Sequence, residues 1–173
     1  METDRLHIRP MRGSDETAFV NGIADRTLRI AYGFPKEMDA ATAGKVFRHF
    51  CELSGAYSMI EKLTGSMIGF LLDVDPELPE SIAEKLSENG RTLAFAVFPA
   101  YQRRGYMEET LHAYISYLFQ DQTVAYIHCG HFTDNEPSSC LLQKMGFSAL
   151  AEHAVDGRII VDRIRRREND ALC

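Results

Sequence analysis

The chain has 173 residues, of which 45% are hydrophobic and 25% charged, a composition typical of one globular domain with a full core. Its formal net charge of −6 argues against broad electrostatic binding to nucleic acid, and no apolar run approaches the length of a membrane span. The negative charge is compatible with a cationic acceptor such as an amine, although solubility alone also explains it. We therefore expect a single domain over residues 1–173, with neither nucleic acid nor membrane as partner.

The four cysteines indicate a reducing compartment and no zinc site. Cys51, Cys129, Cys140 and Cys173 form no CxxC pair, and the start METDRLHIRP lacks the apolar core of a signal peptide. These features favour the cytoplasm. Cys129 and Cys140 are predicted to be packing residues, with an acetyl-cysteine intermediate as the alternative.

The first half of the chain is predicted to hold one strand, two helices and one hairpin. Periodic apolar residues mark the helices, and alternating runs around a glycine mark the hairpin. In chain order these are a strand at 6–9 ended by Pro10, a helix capped by Ser14 or Asp15, a loop at 31–38, a helix capped by Asp39, and strands at 56–61 and 66–73.

The second half is predicted to alternate strands and helices before a closing hairpin. Asp156-Gly157 is a two-residue turn signal, and Gly146 stands at a helix end. In chain order these are a short helix within 76–90 stopped by Gly90, a strand at 92–98 buried on both faces, a helix from Met107 to Leu118, a strand at 124–132, a helix at 135–145, strands at 147–154 and 158–165, and a frayed tail at 166–173.

Together these elements predict an α/β (α+β) fold. We expect a mixed, mostly antiparallel sheet of about seven strands, with flanking helices and a central parallel β-α-β unit that crosses over right-handedly. The arginine run near the C-terminus, Arg163 to Arg167, is interpreted as a solvated end strand rather than a nucleic-acid contact, because the chain as a whole is acidic.

The most informative segment is the loop Gln102-Arg103-Arg104-Gly105-Tyr106-Met107, which joins a strand to a strong helix. Unpaired N–H groups and the dipole at a helix N-terminus favour a bound phosphate. Gly105 permits close approach of the backbone, and the two arginines add positive charge for a pyrophosphate or a ribose phosphate. The segment is neither a Walker loop nor the dinucleotide-binding fingerprint.

This loop resembles the Q/R-x-x-G-x-G/A pyrophosphate loop of the GNAT superfamily of acetyl-CoA-dependent N-acetyltransferases. A second block, Asn135-Glu136-Pro137-Ser138 followed by Leu142 and Lys144-Met145-Gly146-Phe147, is similar to that family's N-x-x-S…L-x-K-x-G-F segment. The start Leu-His-Ile-Arg-Pro and the end Asp156-Gly157-Arg158…Asp162 resemble the branch of ribosomal-protein alanine N-acetyltransferases. The resemblance spans nearly the whole chain and is strongest from Thr92 to Phe147.

The resemblance implies an acetyl-CoA site and a GNAT acyl-CoA N-acyltransferase fold. The backbone of Val97 and Phe98 would pair with the pantetheine arm, and one of their N–H groups would polarise the thioester carbonyl. Asn135 would bind the same arm, and Ser138 would protonate the leaving thiolate. The backbone amides of the loop would hold the pyrophosphate, which makes its binding residues Gln102, Arg103, Arg104, Gly105, Tyr106 and Met107.

Direct attack of a neutral amine on the thioester requires a proton acceptor but neither a nucleophilic residue nor a metal. Glu61, Asp73, His128 and His131 are the candidate bases, and the sequence leaves the choice open. His128 and His131 lie three residues apart on one strand and should face opposite sides of the sheet.

The sequence departs from the family at two places. Met107 replaces the usual small residue of the loop, so its side chain must turn into the core. The segment 76–90 is longer than expected and either covers the acceptor site or pads an edge.

The lead acceptor is a protein N-terminal α-amine. The alternatives are a small-molecule amine (polyamine, amino acid or aminoglycoside) and a non-catalytic acyl-CoA-binding module. A homodimer formed through an exposed sheet edge is expected.

Overall fold

The computed structural model describes residues 1–76, 78–84, 86, 89–121 and 123–167. Cys173 and the predicted tail beyond residue 167 lie outside them. Internal contacts divide the chain into two compact units, one formed by Met1–Asp73 and Ala94–Leu111 and the other by Val74–Leu93 and His112–Cys173. None of the helices that the structure describes has the length and apolar character needed to cross a membrane.

Seven strands form one mixed sheet in the order β1-β2-β3-β4-β5-β7-β6. Strand β5 runs parallel to β4, whereas the β1/β2, β2/β3, β5/β7 and β6/β7 pairs are antiparallel. This confirms the predicted sheet and its central parallel β-α-β unit. The strands are β1 (Leu6–Pro10), β2 (Ala56–Glu61), β3 (Met67–Val74), β4 (Gly90–Val97), β5 (Tyr126–Phe132), β6 (Ser148–Val155) and β7 (Arg158–Arg166).

Two of the predicted capping residues stand at helix ends. Asp39 accepts a hydrogen bond from the Thr42 N–H at 2.7 Å and so caps the third helix. Gly146 has a φ of 80° just beyond the sixth, as expected of a left-handed C-terminal glycine. The helices are α1 (Glu16–Gly22), α2 (Arg26–Tyr32), α3 (Ala40–Glu52), α4 (Glu80–Ala83), α5 (Tyr106–Gln120) and α6 (Glu136–Lys144).

An aromatic cluster forms the core of the first unit. Phe19 of α1 is fully buried and packs against Phe47 and Phe50 of α3 and Phe70 of β3, with ring centroids 5.3–5.6 Å apart. Phe19 therefore lies on the buried face of α1, and Phe47 and Phe50 lie on that of α3. The cluster positions β3 beside β4, where the candidate site begins.

The second unit has its own small apolar cluster. Leu86 packs with Tyr126 of β5 and Ile164 of β7, and Leu78 and Leu150 pack against this group. Leu86 belongs to the long segment between β3 and β4, so this segment covers one face of the sheet in its own unit. Ile82 and Leu86 of this segment are both buried.

Three predictions about secondary structure and burial in or near the helices are wrong. Residues 31–32 belong to helix α2 rather than to a loop, because Asp25 caps that helix at the Leu28 N–H and Gly33 ends it with a φ of 97°. Gly90 does not stop the α4 helix but begins β4, where a Cβ atom would lie 2.1 Å from the Tyr126 ring. Cys140 is exposed rather than packed.

The remaining corrections concern β4 and β7. Strand β4 is not buried on both faces, since Ala94 and Phe95 remain partly exposed. Strand β7 extends through Arg166 and lies between β5 and β6, so it is an interior strand and not a solvated end strand. Its Arg163 is buried.

Candidate active site

At the end of strand β4, the backbone N–H and carbonyl of Val97 point away from the neighbouring strand β3. The Phe98 N–H donates to the Ile68 carbonyl of β3 at 2.8 Å, so Phe98 is occupied on that side. Successive peptide groups of a strand point to opposite edges, and the N–H of Val97 therefore points away from β3. The Val97 carbonyl on that edge accepts a hydrogen bond from Gln102 Nε2 at 2.9 Å. Val97 and Phe98 are the two predicted backbone donors. Of these, only Val97 has an N–H that points away from β3 and is not used in pairing with that strand.

The loop after β4 takes an unusual backbone conformation. Arg103 has a φ of 61° and Gly105 a φ of 78°, whereas the intervening Arg104 is not among the residues with positive φ. A non-glycine residue in the left-handed region costs about 1–2 kcal/mol, so this geometry must be stabilised elsewhere. Alternating signs of φ turn successive N–H groups to one side, a concavity that binds anions. Residues 102 to 105 are exposed, and helix α5 begins directly after them.

Arg5 of the first strand region holds this loop. Its Nη1 donates to the Arg104 carbonyl at 2.9 Å, and its Nε donates to Glu109 Oε2 at 2.6 Å. The guanidinium also stacks over the Tyr106 ring, 4.5 Å from the centroid. Thr3 donates its hydroxyl to the same Glu109 carboxylate at 2.5 Å. Burial alone would raise the pKa of Glu109, but the hydrogen bonds from Thr3 and Arg5 hold it below the usual value.

Tyr106 and Met107 anchor the start of helix α5 in the first unit. The Tyr106 hydroxyl donates a short hydrogen bond to Glu61 of β2, and Thr64 donates to the other carboxylate oxygen. The bond from Tyr106 is the main cause that lowers the pKa of Glu61, and it raises the pKa of Tyr106 in turn. A carboxylate held in this way is a weak base, which argues against Glu61 as proton acceptor. Met107 is buried, as its size requires.

Asn135 and Ser138 lie at the start of helix α6, in the second unit. Asn135 is the N-cap, and its Oδ1 accepts from the Ser138 N–H at 3.2 Å. Both residues are partly exposed. The structure thus groups Val97 to Met107 in one unit and Asn135 with Ser138 in the other.

His128 belongs to a hydrogen-bonded row of four side chains in the second unit. Its Nδ1 lies 3.1 Å from Thr92 Oγ1, and its Nε2 lies 2.9 Å from Asp162 Oδ1. The second oxygen of Asp162 lies 2.7 Å from Nδ1 of His153. Burial by itself would raise the pKa of Asp162, but the hydrogen bonds from His128 and His153 outweigh it and lower the pKa. A buried ionised carboxylate between two imidazoles is the result.

His131 faces the opposite side of the sheet, as predicted, and is fully engaged there. Its Nδ1 donates to the Phe132 carbonyl at 2.9 Å, and its Nε2 accepts from Nε of Arg163 at 2.9 Å. With one nitrogen donating and the other accepting, the ring has no lone pair for a substrate proton.

Asp73, the fourth candidate base, is buried near the end of β3. Burial raises the pKa of the Cys129 thiol, which argues against a thiolate nucleophile there.

Sequence reasoning missed three residues of these networks. Arg5, Glu109 and His153 carry no motif, and Arg5 and Glu109 are separated by 104 residues. Asp162 was noticed only as part of a resemblance. A weak signal existed in the closing hairpin, where the turn at Asp156-Gly157 pairs His153 with Ile160, two residues from Asp162.

Among the described residues, no three His, Cys, Asp or Glu side chains are arranged to hold a metal ion.

Comparison with solved structures places this fold among acetyltransferases. The GNAT-family acetyltransferase from Bacillus anthracis is 14% identical with a TM-score of 0.80, over 98% of this chain and 99% of that one. The ribosomal-protein-S5-alanine acetyltransferase from Vibrio fischeri is 16% identical with a TM-score of 0.73, over 98% and 97%. An acetyltransferase from Salmonella typhimurium, described as modifying the N-terminal serine of ribosomal protein L7/L12, is 13% identical with a TM-score of 0.74, over 96% and 97%.

A family model described as "Acetyltransferase (GNAT) domain" matches residues 5–148. The chain therefore belongs to the GNAT family and is an N-acetyltransferase. A search by sequence against curated proteins gives no significant match. GNAT domains use acetyl-CoA as acyl donor and an amine as acceptor.

Proposed function

We propose that this protein binds acetyl-CoA through the Gln102–Met107 loop and transfers the acetyl group directly to the N-terminal α-amine of a protein. The loop geometry is the observation that carries the proposal. Left-handed residues at 103 and 105 stand directly before the first turn of the 15-residue helix α5, and the loop is held in that conformation from behind by Arg5. Such a loop offers its N–H groups to a pyrophosphate without any lysine or glycine-rich motif.

The Val97 N–H is proposed to polarise the thioester carbonyl. It is turned away from β3, and the bond from Gln102 to its carbonyl fixes the orientation of the neighbouring peptide. A preorganised N–H stabilises the negative charge that develops on the carbonyl oxygen during attack. On the strength of their sequence block, Asn135 is proposed to bind the pantetheine arm and Ser138 to protonate the leaving thiolate.

A protein N-terminus is the proposed acceptor for two reasons. Ribosomal-protein acetyltransferases are among the solved structures of similar fold, and the net charge of −6 suits a cationic acceptor. We further propose that the protein acts as one domain in the cytoplasm and pairs into a homodimer through an outer strand of its sheet.

The acceptor class is tested with matched peptides. One peptide carries a free α-amine and no lysine, and its partner has the same sequence with a blocked N-terminus and one internal lysine. We expect release of CoA thiol from acetyl-CoA with the first peptide only, measured with a thiol reagent and by the mass of the product. Turnover of polyamines, amino acids or aminoglycosides in place of the peptide would identify a small-molecule enzyme. Binding of acetyl-CoA with no turnover of any amine would identify a binding module.

Replacing Arg5 tests how the loop is held. We expect Arg5→Ala to raise the KM for acetyl-CoA about tenfold with little change in kcat, because loss of the charged hydrogen bonds costs about 1.5 kcal/mol of loop order. Arg9→Ala is the matched control, since Arg9 lies on β1, four residues after Arg5, and forms an ion pair with Asp15, with Nη1 2.7 Å from Oδ2. Equal effects of the two variants on KM, measured by steady-state kinetics, would mean that Arg5 has no particular role at the loop.

A further inference from the structure

The peptide group between Ala96 and Val97 lies directly against Gly69 of β3. A Cβ atom added at Gly69 would lie 2.3 Å from the Ala96 carbonyl oxygen and 3.1 Å from Cα of Val97. Both are backbone atoms, which cannot rotate out of the way as a side chain can. The C=O and N–H of a trans peptide group point in opposite directions, so the contact of the Ala96 oxygen with Gly69 directs the Val97 N–H away from β3. Glycine at 69 thus allows β3 to support this peptide group from behind.

This support matters because Val97 lies beyond the ladder between β4 and β5. Strand β4 pairs with β5 through residues 90–92. On the other edge, the Ile68 carbonyl of β3 accepts from the Phe98 N–H at 2.8 Å, which ties the next peptide group to the same strand. The position of the Val97 N–H is therefore set from the β3 side.

A second close contact holds the side chain of Phe98. This side chain is buried, and its ring centroid lies 6.5 Å from that of Phe70. A Cβ atom added at Gly22, the last residue of α1, would lie 2.4–2.5 Å from three carbon atoms of the Phe98 ring. The end of α1 thus packs so closely on the ring that only glycine fits there. The contact fixes the residue that directly follows Val97.

Arg29 of α2 holds the turn that follows Gly22. It is buried, and its Nη1 donates to the carbonyl of Ile23 at 3.0 Å and to that of Ala24 at 2.5 Å. Its Nη2 donates to the Lys36 carbonyl beyond α2 at 2.9 Å. A guanidinium presents several donors in a rigid fork, so this one side chain fixes the backbone on both sides of α2. The end of α1 is thereby held in place.

We propose that Gly69, Gly22 and Arg29 are positioning residues for acetyl transfer, which together fix the N–H that Val97 offers to the thioester carbonyl. The inference rests on the proposed function and adds the residues that support one of its groups. All three lie in the same compact unit as Val97, and each acts through the backbone of residues 96–98. The N–H stabilises charge that develops only during attack, so displacing it lowers kcat more than it changes KM.

Gly69→Ala tests the contact behind the peptide group. We expect kcat with the peptide acceptor to fall at least about tenfold while KM for acetyl-CoA stays within about twofold, because the added methyl group displaces the Ala96 carbonyl. Phe47→Leu is the control for stability alone. Phe47 packs on Phe19 in the core of the same unit, with ring centroids 5.4 Å apart, so this variant should unfold at lower temperature and keep its kcat. Equal kcat losses in the two variants would overturn the role of Gly69.

Gly22→Ala is measured with and without Phe98→Leu. We expect Gly22→Ala alone to lower kcat about tenfold but to have less than about a twofold effect in Phe98→Leu protein, where a smaller and more flexible side chain leaves room for the methyl group. Phe98→Leu should not relieve Gly69→Ala, whose obstruction is backbone. Gly44→Ala in α3 is the control, because a Cβ atom there meets the end of the flexible Glu16 side chain at 2.8 Å. Independent effects of Gly22→Ala and Phe98→Leu would overturn the role of Gly22.

Arg29→Lys keeps the positive charge but cannot reach three carbonyls with one ammonium group. We expect kcat to fall about fivefold with KM for acetyl-CoA within about twofold of wild type. Arg48→Lys is the matched control, since Arg48 is exposed on α3 and pairs with Glu16 at 2.7 Å. Wild-type kcat in Arg29→Lys would overturn the part assigned to Arg29.

The backbone amide signal of Val97 tests the inference without turnover. Protein labelled with nitrogen-15 valine shows the signal, and its loss in Val97→Ala assigns it. In protein without acetyl-CoA, we expect the signal to move in Gly69→Ala and Gly22→Ala but not in Gly44→Ala. An unmoved signal in the first two variants would overturn this inference alone. A wild-type signal that ignores acetyl-CoA despite calorimetric binding would overturn the proposed role of the Val97 N–H, and absence of binding would overturn the proposed function.

Discussion

Gly105→Glu is expected to abolish acetyl-CoA binding. The residue has a φ of 78° and lies in the exposed loop before helix α5, where an added Cβ atom would meet only the Arg5 Nη2 atom at 3.5 Å. The glutamate would place negative charge and bulk where the pyrophosphate is proposed to bind, and it would also offer Arg5 a competing carboxylate. We expect the Kd for acetyl-CoA to rise at least about 100-fold, which corresponds to about 2.7 kcal/mol, measured by calorimetric titration.

Gly65→Glu separates this effect from backbone strain. Gly65 lies in the turn between β2 and β3 of the same unit, has a φ of 70°, and has no atom within 4 Å of an added Cβ. The two variants therefore introduce the same side chain at nearly the same strained conformation. We expect Gly65→Glu to lose stability but to bind acetyl-CoA as wild type does. Equal binding by both variants would mean that the Gln102–Met107 loop is only a structural connection.

Val97→Pro is expected to lower kcat by about 100-fold or more, because proline has no N–H to stabilise the developing oxyanion. The strand tolerates this change better than most, since the β3 pairing at this point uses the Phe98 N–H and not that of Val97. The preceding Ala96 already lies within a strand, which is the conformation that proline requires of its neighbour. Steady-state kinetics on the peptide acceptor measure the effect.

Val97→Ala is the control for the Val97→Pro prediction. It keeps the N–H and removes only part of a partly exposed side chain, so kcat should remain within a few-fold of wild type. Thermal unfolding of both variants shows whether any loss of activity reflects loss of fold. A folded Val97→Pro protein with wild-type kcat would contradict the role proposed for this peptide group.

Element order and the loop were predictable from the sequence because they depend on neighbours along the chain. The Asp39 cap, the Gly146 helix end and the Asp156-Gly157 turn each act within a few residues, and each lies where it was predicted. Helix α2 escaped prediction because its last two residues were assigned to the loop at 31–38, which contains the glycine at 33 that ends the helix. Gly90 was misread because a glycine that ends a helix and one that makes room for the Tyr126 ring look the same in a sequence.

The surroundings of the candidate bases were decided by the tertiary structure. Four candidates were equal in sequence, but in the structure Glu61 accepts from the Tyr106 hydroxyl, His131 accepts from Arg163, and Nδ1 of His128 lies beside the Thr92 hydroxyl. These differences arise from partners 32 to 45 residues away. No local pattern encodes such a distance.

The sequence by itself determined the family, the order of strands and helices, and the loop that is proposed to hold the pyrophosphate, because each of these is expressed in short-range spacing. Only the tertiary structure decided that Arg5 holds the loop through Glu109, that the Val97 N–H is turned away from β3, and that Asp162 joins His128 to His153. The physical reason is that strand pairing and side-chain hydrogen bonds are settled by which distant segments meet in the sheet.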